Sequence, residues 1–383
     1  MHALCIQCAK ALLLKSLIAE SSIYAPCNVC GTPGLQVIDT SDLKFIRAIK
    51  ALIRYHYSEW EYHGRLGGES FQHLLSIENP IIRLNPKLDE IEYEEFLLSF
   101  LQALNSDDQI SLFTAYGRDI YNHTPFQAVS RGESTSLANI ESKLRTNNYF
   151  VVEAEHKNDF EALRSYVTRT ITAGTTLYRA RIGAEKRAVN FSNFPSDPTY
   201  FYTPHEGSAI GAPPIQFATA GRANRPGVSF LYLATDPDTA MAEVRPHPGD
   251  LVSVGGFTLT DNQVIADLSS HNLELFYESD HGLDLLELAI AAENSLAMKA
   301  PPSNRHIYSL TQFLSEIFRA IGFDGIGFRS TVGTGTNIVL FKSDSAYWVE
   351  DSSQVFYVDQ VIYRNSPQKL FDPETEYDSV ANG

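Results

Sequence analysis

The chain has 383 residues, 44% hydrophobic and 11% aromatic, which excludes a disordered polypeptide and predicts two or more domains. Its formal net charge of -16 argues against a general nucleic-acid binder or a binder of anionic membranes. No run of 18 apolar residues occurs, and Lys10 and Lys15 interrupt the apolar stretch near the N-terminus. Neither a membrane span nor a signal peptide is predicted, and a soluble, cytoplasmic protein is expected.

All four cysteines lie at the N-terminus, as Cys5-Ile-Gln-Cys8 and Cys27-Asn-Val-Cys30. The spacing C-x2-C-x18-C-x2-C is that of a four-thiolate zinc site, since two intervening residues let one turn present both sulfurs to one ion. Two redox dithiols or four unpaired thiols are the alternatives. Cys5, Cys8, Cys27 and Cys30 would close the coordination sphere, so the expected Zn2+ is structural. Residues 1–35 are therefore read as a zinc-binding clip, with a helix between the pairs from Ala9 to Glu20.

A helical domain is expected over 36–170. Leu43, Phe45, Ile46, Ile49, Leu52 and Ile53 recur at helical spacing behind Thr40, Ser41 and Asp42 as cap candidates. The aromatic run from Arg54 to His63 is read as a helix end packed on its neighbour, with a ligand surface as the alternative. Pro86 to Leu104 predicts a second helix, Arg131 to Ser136 a loop, and Leu137–Leu144 and Asp159–Tyr166 two further helices.

From Thr175 the pattern changes to short β-branched or aromatic runs separated by turn residues. Strands are predicted at Thr176–Arg181, Val228–Thr235, Leu251–Leu259, Val264–Leu268, Gly325–Phe328, Asn337–Phe341 and Val355–Ile362. Helices fit Asp236–Arg245, Leu283–Asn294 and Leu310–Ala320. The fold class is α+β, with no Gly-rich phosphate loop behind a strand.

Polar residues cluster where these strands begin or end. They stand in Leu177-Tyr-Arg-Ala-Arg181, in the stretch from Gly221-Arg-Ala-Asn224 through Leu231-Tyr-Leu-Ala234 to Glu243, in Tyr308-Ser-Leu-Thr-Gln312, and in Phe323-Asp-Gly-Ile-Gly-Phe-Arg-Ser330 leading to Thr336–Phe341. An arginine and a carboxylate fixed around one strand suit an anionic ligand that carries a sugar. Taken singly, each has a plainer reading: a surface ion pair for Arg179, core for Tyr232, helix-dipole support for Glu243.

Together the four segments resemble the RES family, whose members are typically NAD+-degrading toxins of bacterial toxin–antitoxin systems related in fold to ADP-ribosyltransferases. The resemblance covers roughly 175–345 and implies an ADP-ribosyltransferase-like mixed β-sheet RES domain over 171–383. It implies catalytic roles for Arg179, Glu243, Ser309 and Ser330, both serines standing as candidates for the family's serine. Arg222, Tyr232 and Gln312 would bind NAD+, the substrate. Ala223 replaces the family's tryptophan. Met241 stands where arginine-modifying relatives carry a second acid, which favours water or phosphate as acceptor.

Such an enzyme would be restrained by an antitoxin or regulatory protein; homo-oligomerisation is left open. Two alternatives are kept. One is mono-ADP-ribosylation of a protein. The other is a ribonuclease, since Arg118-Asp-Ile-Tyr-Asn-His123 fits the Arg-polar-x3-His signature of HEPN nucleases.

Overall fold

The structure, a computed structural model, describes residues 2–79, 81–83, 102–114, 124–189, 199–298, 308–362, 365 and 367. The HEPN-like segment Arg118–His123 lies outside the described residues, as does all but the end of the helix predicted from Pro86 to Leu104.

At the N-terminus β1 (Ala3–Cys5), β2 (Ile23–Ala25) and β3 (Leu35–Asp39) form an antiparallel sheet in the order β1–β3–β2, with α1 (Leu12–Glu20) between the first two strands. The helix starts later than the predicted Ala9, because the Cys8 and Ala9 amides both turn back to the Cys5 carbonyl at 3.1 Å. In α2 (Leu43–His56) the Asp42 side chain accepts from the Lys44 amide and caps the helix, while Phe45, Ile46, Ile49, Leu52 and Ile53 are buried. The aromatic run that follows is partly core. Tyr57 and Tyr62 are buried and donate to the Leu74 and Leu112 carbonyls at 2.8 and 2.6 Å.

The loop expected over Arg131–Ser136 ends early, because Ser134 caps α3 (Thr135–Leu144) by accepting from the Leu137 amide. The helix predicted at Asp159–Tyr166 is the second half of α4 (Tyr149–Val167), which Asn148 caps.

The rest of the molecule is a mixed sheet of nine strands among the described residues. They are β4 (Thr168–Ile171), β5 (Thr176–Ile182), β8 (Leu231–Ala234), β9 (Leu251–Leu259), β10 (Gln263–Asp267), β11 (Gly325–Arg329), β12 (Thr336–Leu340), β13 (Ala346–Trp348) and β14 (Gln354–Tyr357). Their order is β13–β9–β5–β8–β12–β11–β10–β4, with β14 also on β9. Among the described strands β10 and β11 pair in parallel, and their crossover carries α6 (Asp280–Ala297) and α7 (Tyr308–Ala320). A short α5 (Pro237–Glu243) follows β8. The hairpin of β6 (Glu185–Val189) and β7 (Thr199–Thr203) stands apart from the large sheet. No periodicity announced it, because every residue of β6 and nearly all of β7 are exposed.

One buried cluster runs from Ala3 and Cys5 through α2 and α4 to α6, α7 and β11. At its centre α6 fully buries Leu283, Leu286 and Leu296, each contributing about 1.5–3 kcal/mol. A separate cluster of small residues, Ala180, Ala234 and Ala240 with Val252 and Val254, lets α5 approach the sheet closely.

Candidate active site

Strands β5 and β8 are paired at a single position, Tyr178 opposite Ala234. Around this short contact lies a cavity of about 400 Å3, within the range of about 300–1,000 Å3 usual for small-molecule sites. Arg179, Arg222, Tyr232 and Glu243 line it, together with Tyr178, Arg245, Tyr308 and Asn337. Ser309, Gln312 and Ser330 do not line it.

Glu243 is the last residue of α5, whose entry Asp236 caps by accepting from the Thr239 amide at 2.7 Å, with Pro237 preset for the first turn. One oxygen of Glu243 is held twice. Ser330 Oγ and Asn337 Nδ2 both donate to Oε1 at 2.7 Å. The other oxygen has no hydrogen-bond partner among the described residues. Ser330 in turn accepts from the Gly333 amide at 2.9 Å and the Val332 amide at 3.2 Å, so its hydroxyl proton is directed at the carboxylate. Asn337 carries no role in the sequence reading. Its signal is an amide at the start of an otherwise apolar strand, 7% exposed, which a buried position requires to be paired.

Arg179 is largely committed to the backbone: Nε donates to the Ile210 carbonyl and Nη1 to that of Tyr232, each at 2.8 Å. Burial lowers the pKa of this guanidinium, though an arginine keeps its proton. Arg222 gives Nη1 to the Leu296 carbonyl at 2.7 Å.

The Gly221–Asn224 loop is tied from three sides. The Tyr232 hydroxyl donates to Asn224 Oδ1 at 2.6 Å and accepts from the Ala223 amide at 3.0 Å. Gln312 Nε2 donates to the Gly221 and Asn224 carbonyls at 2.9 and 3.0 Å, and Thr311 Oγ1 to that of Arg222 at 2.6 Å. Glycine is required at 221, because a Cβ there would stand 2.8 Å from the Tyr232 hydroxyl. Gln312 thus braces the loop from behind. Burial pushes the Tyr232 phenol up to about 12, so it stays a donor. Tyr232→Phe is expected to cost about 1–2 kcal/mol in denaturant unfolding, because it strands the Asn224 oxygen and the Ala223 amide. Ala223, at the family's tryptophan position, is fully buried and anchors the loop in the main buried cluster. Met241 packs on the small-residue cluster beneath α5.

Ser309 is exposed on the first turn of α7. Arg245 holds a left-handed backbone at φ 51°, a conformation that costs a non-glycine residue energy and that clusters at functional sites.

The four cysteine sulfurs lie within 4.8 Å of one another, and Cys5 and Cys30 are 3.8 Å apart. Tetrahedral zinc with bonds of about 2.3 Å needs sulfurs about 3.8 Å apart, so the donor set fits that ion. Gly31, at φ +70°, closes the second turn by donating to the Cys27 carbonyl at 2.8 Å. Burial pushes the Cys5 thiol up to about 11, whereas Cys27, accepting from Cys8, is held at about 4. Among the described residues no helix is long and apolar enough to cross a membrane.

No curated protein matches the chain. Among solved structures, a chain of the "Crystal structure of the M.tuberculosis MbcT-MbcA toxin-antitoxin complex" is similar, at 15% identity over 51% of this chain and 91% of that one, with a TM-score of 0.30. Residues 195–359 match the sequence model of the RES domain, a span that holds Arg222, Tyr232, Glu243, Ser309, Gln312 and Ser330 and begins after Arg179.

Proposed function

We propose that the protein is a NAD+-degrading enzyme of RES type that cleaves the nicotinamide–ribose bond. The observation that carries this reading is the Glu243 carboxylate, fixed through one oxygen by Ser330 and Asn337 beside a cavity that two arginines also line. As the bond to C1′ breaks, its electron pair leaves with the pyridinium nitrogen and nicotinamide departs neutral. The ribose is left as an oxocarbenium-like cation, which a preorganised carboxylate stabilises. Arg222 is assigned to the pyrophosphate through the nitrogens it does not spend on Leu296. Arg179 is assigned to the wall of the site, where its charge biases the cavity toward an anion. Tyr232 offers its ring as a packing face for nicotinamide while its hydroxyl holds the loop. Water or phosphate is assigned as acceptor, since Met241 supplies no second acid.

The domain that carries this chemistry is read as ADP-ribosyltransferase-like and assigned to 171–383, behind a helical domain over 36–170 and the clip over 1–35. Cys5, Cys8, Cys27 and Cys30 are assigned to one structural Zn2+. Consumption of NAD+ requires restraint by the host cell, so an antitoxin or regulatory protein is assigned as partner. NAD+ as substrate assigns the protein to the cytoplasm.

The test is product identification from NAD+ with and without phosphate. Nicotinamide should appear when phosphate is present, and also in its absence if water is the acceptor. ADP-ribose alone marks hydrolysis, and a phosphorylated ADP-ribose formed only with phosphate marks phosphorolysis. Labelled ADP-ribose on protein, with little free product, would establish protein modification instead. NAD+ left intact by the folded chain in the presence of phosphate would defeat the proposal.

A further inference from the structure

Helix α6 meets the site from behind. Its Glu293 carboxylate is 1% exposed, a burial that a charged group tolerates only when fully paired. Arg329 supplies most of that pairing: Nε donates to Oε1 and Nη2 to Oε2, each at 2.6 Å, and the Arg329 amide reaches Oε1 at 3.3 Å. His271 Nε2 donates to Oε2 at 2.8 Å. Burial works to raise the carboxyl, but these donors outweigh it and hold Glu293 at about 2. The Arg329 side chain is 62% exposed and the Glu293 side chain 1%, so the buried helix is the rigid end of the clamp.

Arg329 is the last residue of β11, and Ser330, which orients Glu243, follows it directly. The Ser330 amide donates to the Gly335 carbonyl at 3.0 Å, closing a turn over 330–335. One turn further along the same face of α6, the Leu296 carbonyl holds Arg222.

We propose that Glu293 is a positioning residue: by clamping Arg329 it fixes the 330–335 turn, and through Ser330 it holds the Glu243 carboxylate in its working orientation. The kinetic part of this inference rests on the NAD+-cleaving reading of the site, and the clamp itself does not. The site residues come from distant parts of the chain, and small displacements of such groups are costly to rate.

The test uses the full chain, with hydrogen–deuterium exchange over 330–335 and steady-state nicotinamide release. Glu293→Gln keeps the size of the side chain and removes the charge. It should speed exchange at the Ser330, Val332 and Gly333 amides roughly tenfold or more. It should also lower kcat by roughly tenfold or more while KM for NAD+ stays within about twofold. In a Ser330→Ala background the same change should cost less than about twofold further, because the path through Ser330 is already cut. Unchanged exchange over 330–335, or an equal loss in both backgrounds, overturns the proposal. If Glu293→Gln does not fold, Arg329→Lys, which keeps the charge and loses the two-pronged contact, is read by the same criteria. Absence of nicotinamide release from the unaltered chain would defeat the functional reading alone, and exchange would then decide the clamp.

Discussion

Glu243→Gln is expected to reduce nicotinamide release from NAD+ on the order of a thousandfold, with little change in stability. Glutamine has nearly the same shape, and its carbonyl oxygen can still accept from Ser330 Oγ and Asn337 Nδ2, which both meet Oε1 at 2.7 Å in the native protein. What it lacks is the negative charge that faces the developing cation. Because the ground-state nicotinamide ring already carries a positive charge, KM should rise modestly, by about threefold or less, while kcat takes most of the loss. Asn337→Ala, which leaves the charge and removes one of its two fixed donors, should fall between, at roughly tenfold. Both are read from initial rates at saturating NAD+, with melting temperatures as the control. Retention of kcat by Glu243→Gln to within about tenfold would remove this carboxylate from the chemistry.

Removal of the zinc assigned to the four cysteines is expected to unfold a large part of the molecule. Protein purified without chelator should contain one zinc per chain, and a strong chelator or Cys27→Ser should release it. Structural zinc supplies on the order of 10 kcal/mol to small sites of this kind, comparable to the whole stability of a typical domain. Here the consequence extends further, because Cys5, Cys8 and Cys27 belong to the same continuous core as α2, α6 and β11. The expected outcome is a large fall in melting temperature together with loss of nicotinamide release. Metal analysis finding no zinc, or a chelated chain that melts unchanged, would contradict it.

Several features were legible from local pattern. The two cysteine pairs were, because the geometry of a metal-binding turn is set within four residues. The strands β5, β8, β9, β10, β11, β12 and β14 and the helices α2, α5, α6 and α7 were, because period and capping are short-range properties, whereas β1 to β4, β6, β7 and β13 were not. The boundaries moved where a backbone or side-chain cap intervened, as at Leu12, Thr135 and Tyr149. The parallel β10–β11 pair joined through α6 and α7 had no local signature.

The site was legible in its residue types and only partly in their placement. Gln312 and the Tyr232 hydroxyl are spent on bracing the Gly221–Asn224 loop, and Arg179 on two carbonyls. Asn337 and the Glu293–Arg329 pair carried no motif, since each matters only for what it meets across the sheet.

The sequence by itself determined the cysteine cluster, the order of the main helices and of seven strands of the large sheet, and the arginine, tyrosine and carboxylate grouped around β8. Those depend on neighbours in the chain. Only the tertiary structure decided that β5 and β8 pair at one position beside a cavity. It alone placed Ser330, rather than the exposed Ser309, on the carboxylate, and set α6 behind the site as its anchor. Those features depend on strand order and on contacts between residues up to 94 positions apart, such as Glu243 and Asn337. They arise when buried polar groups must all find partners at once, a condition that no local spacing encodes.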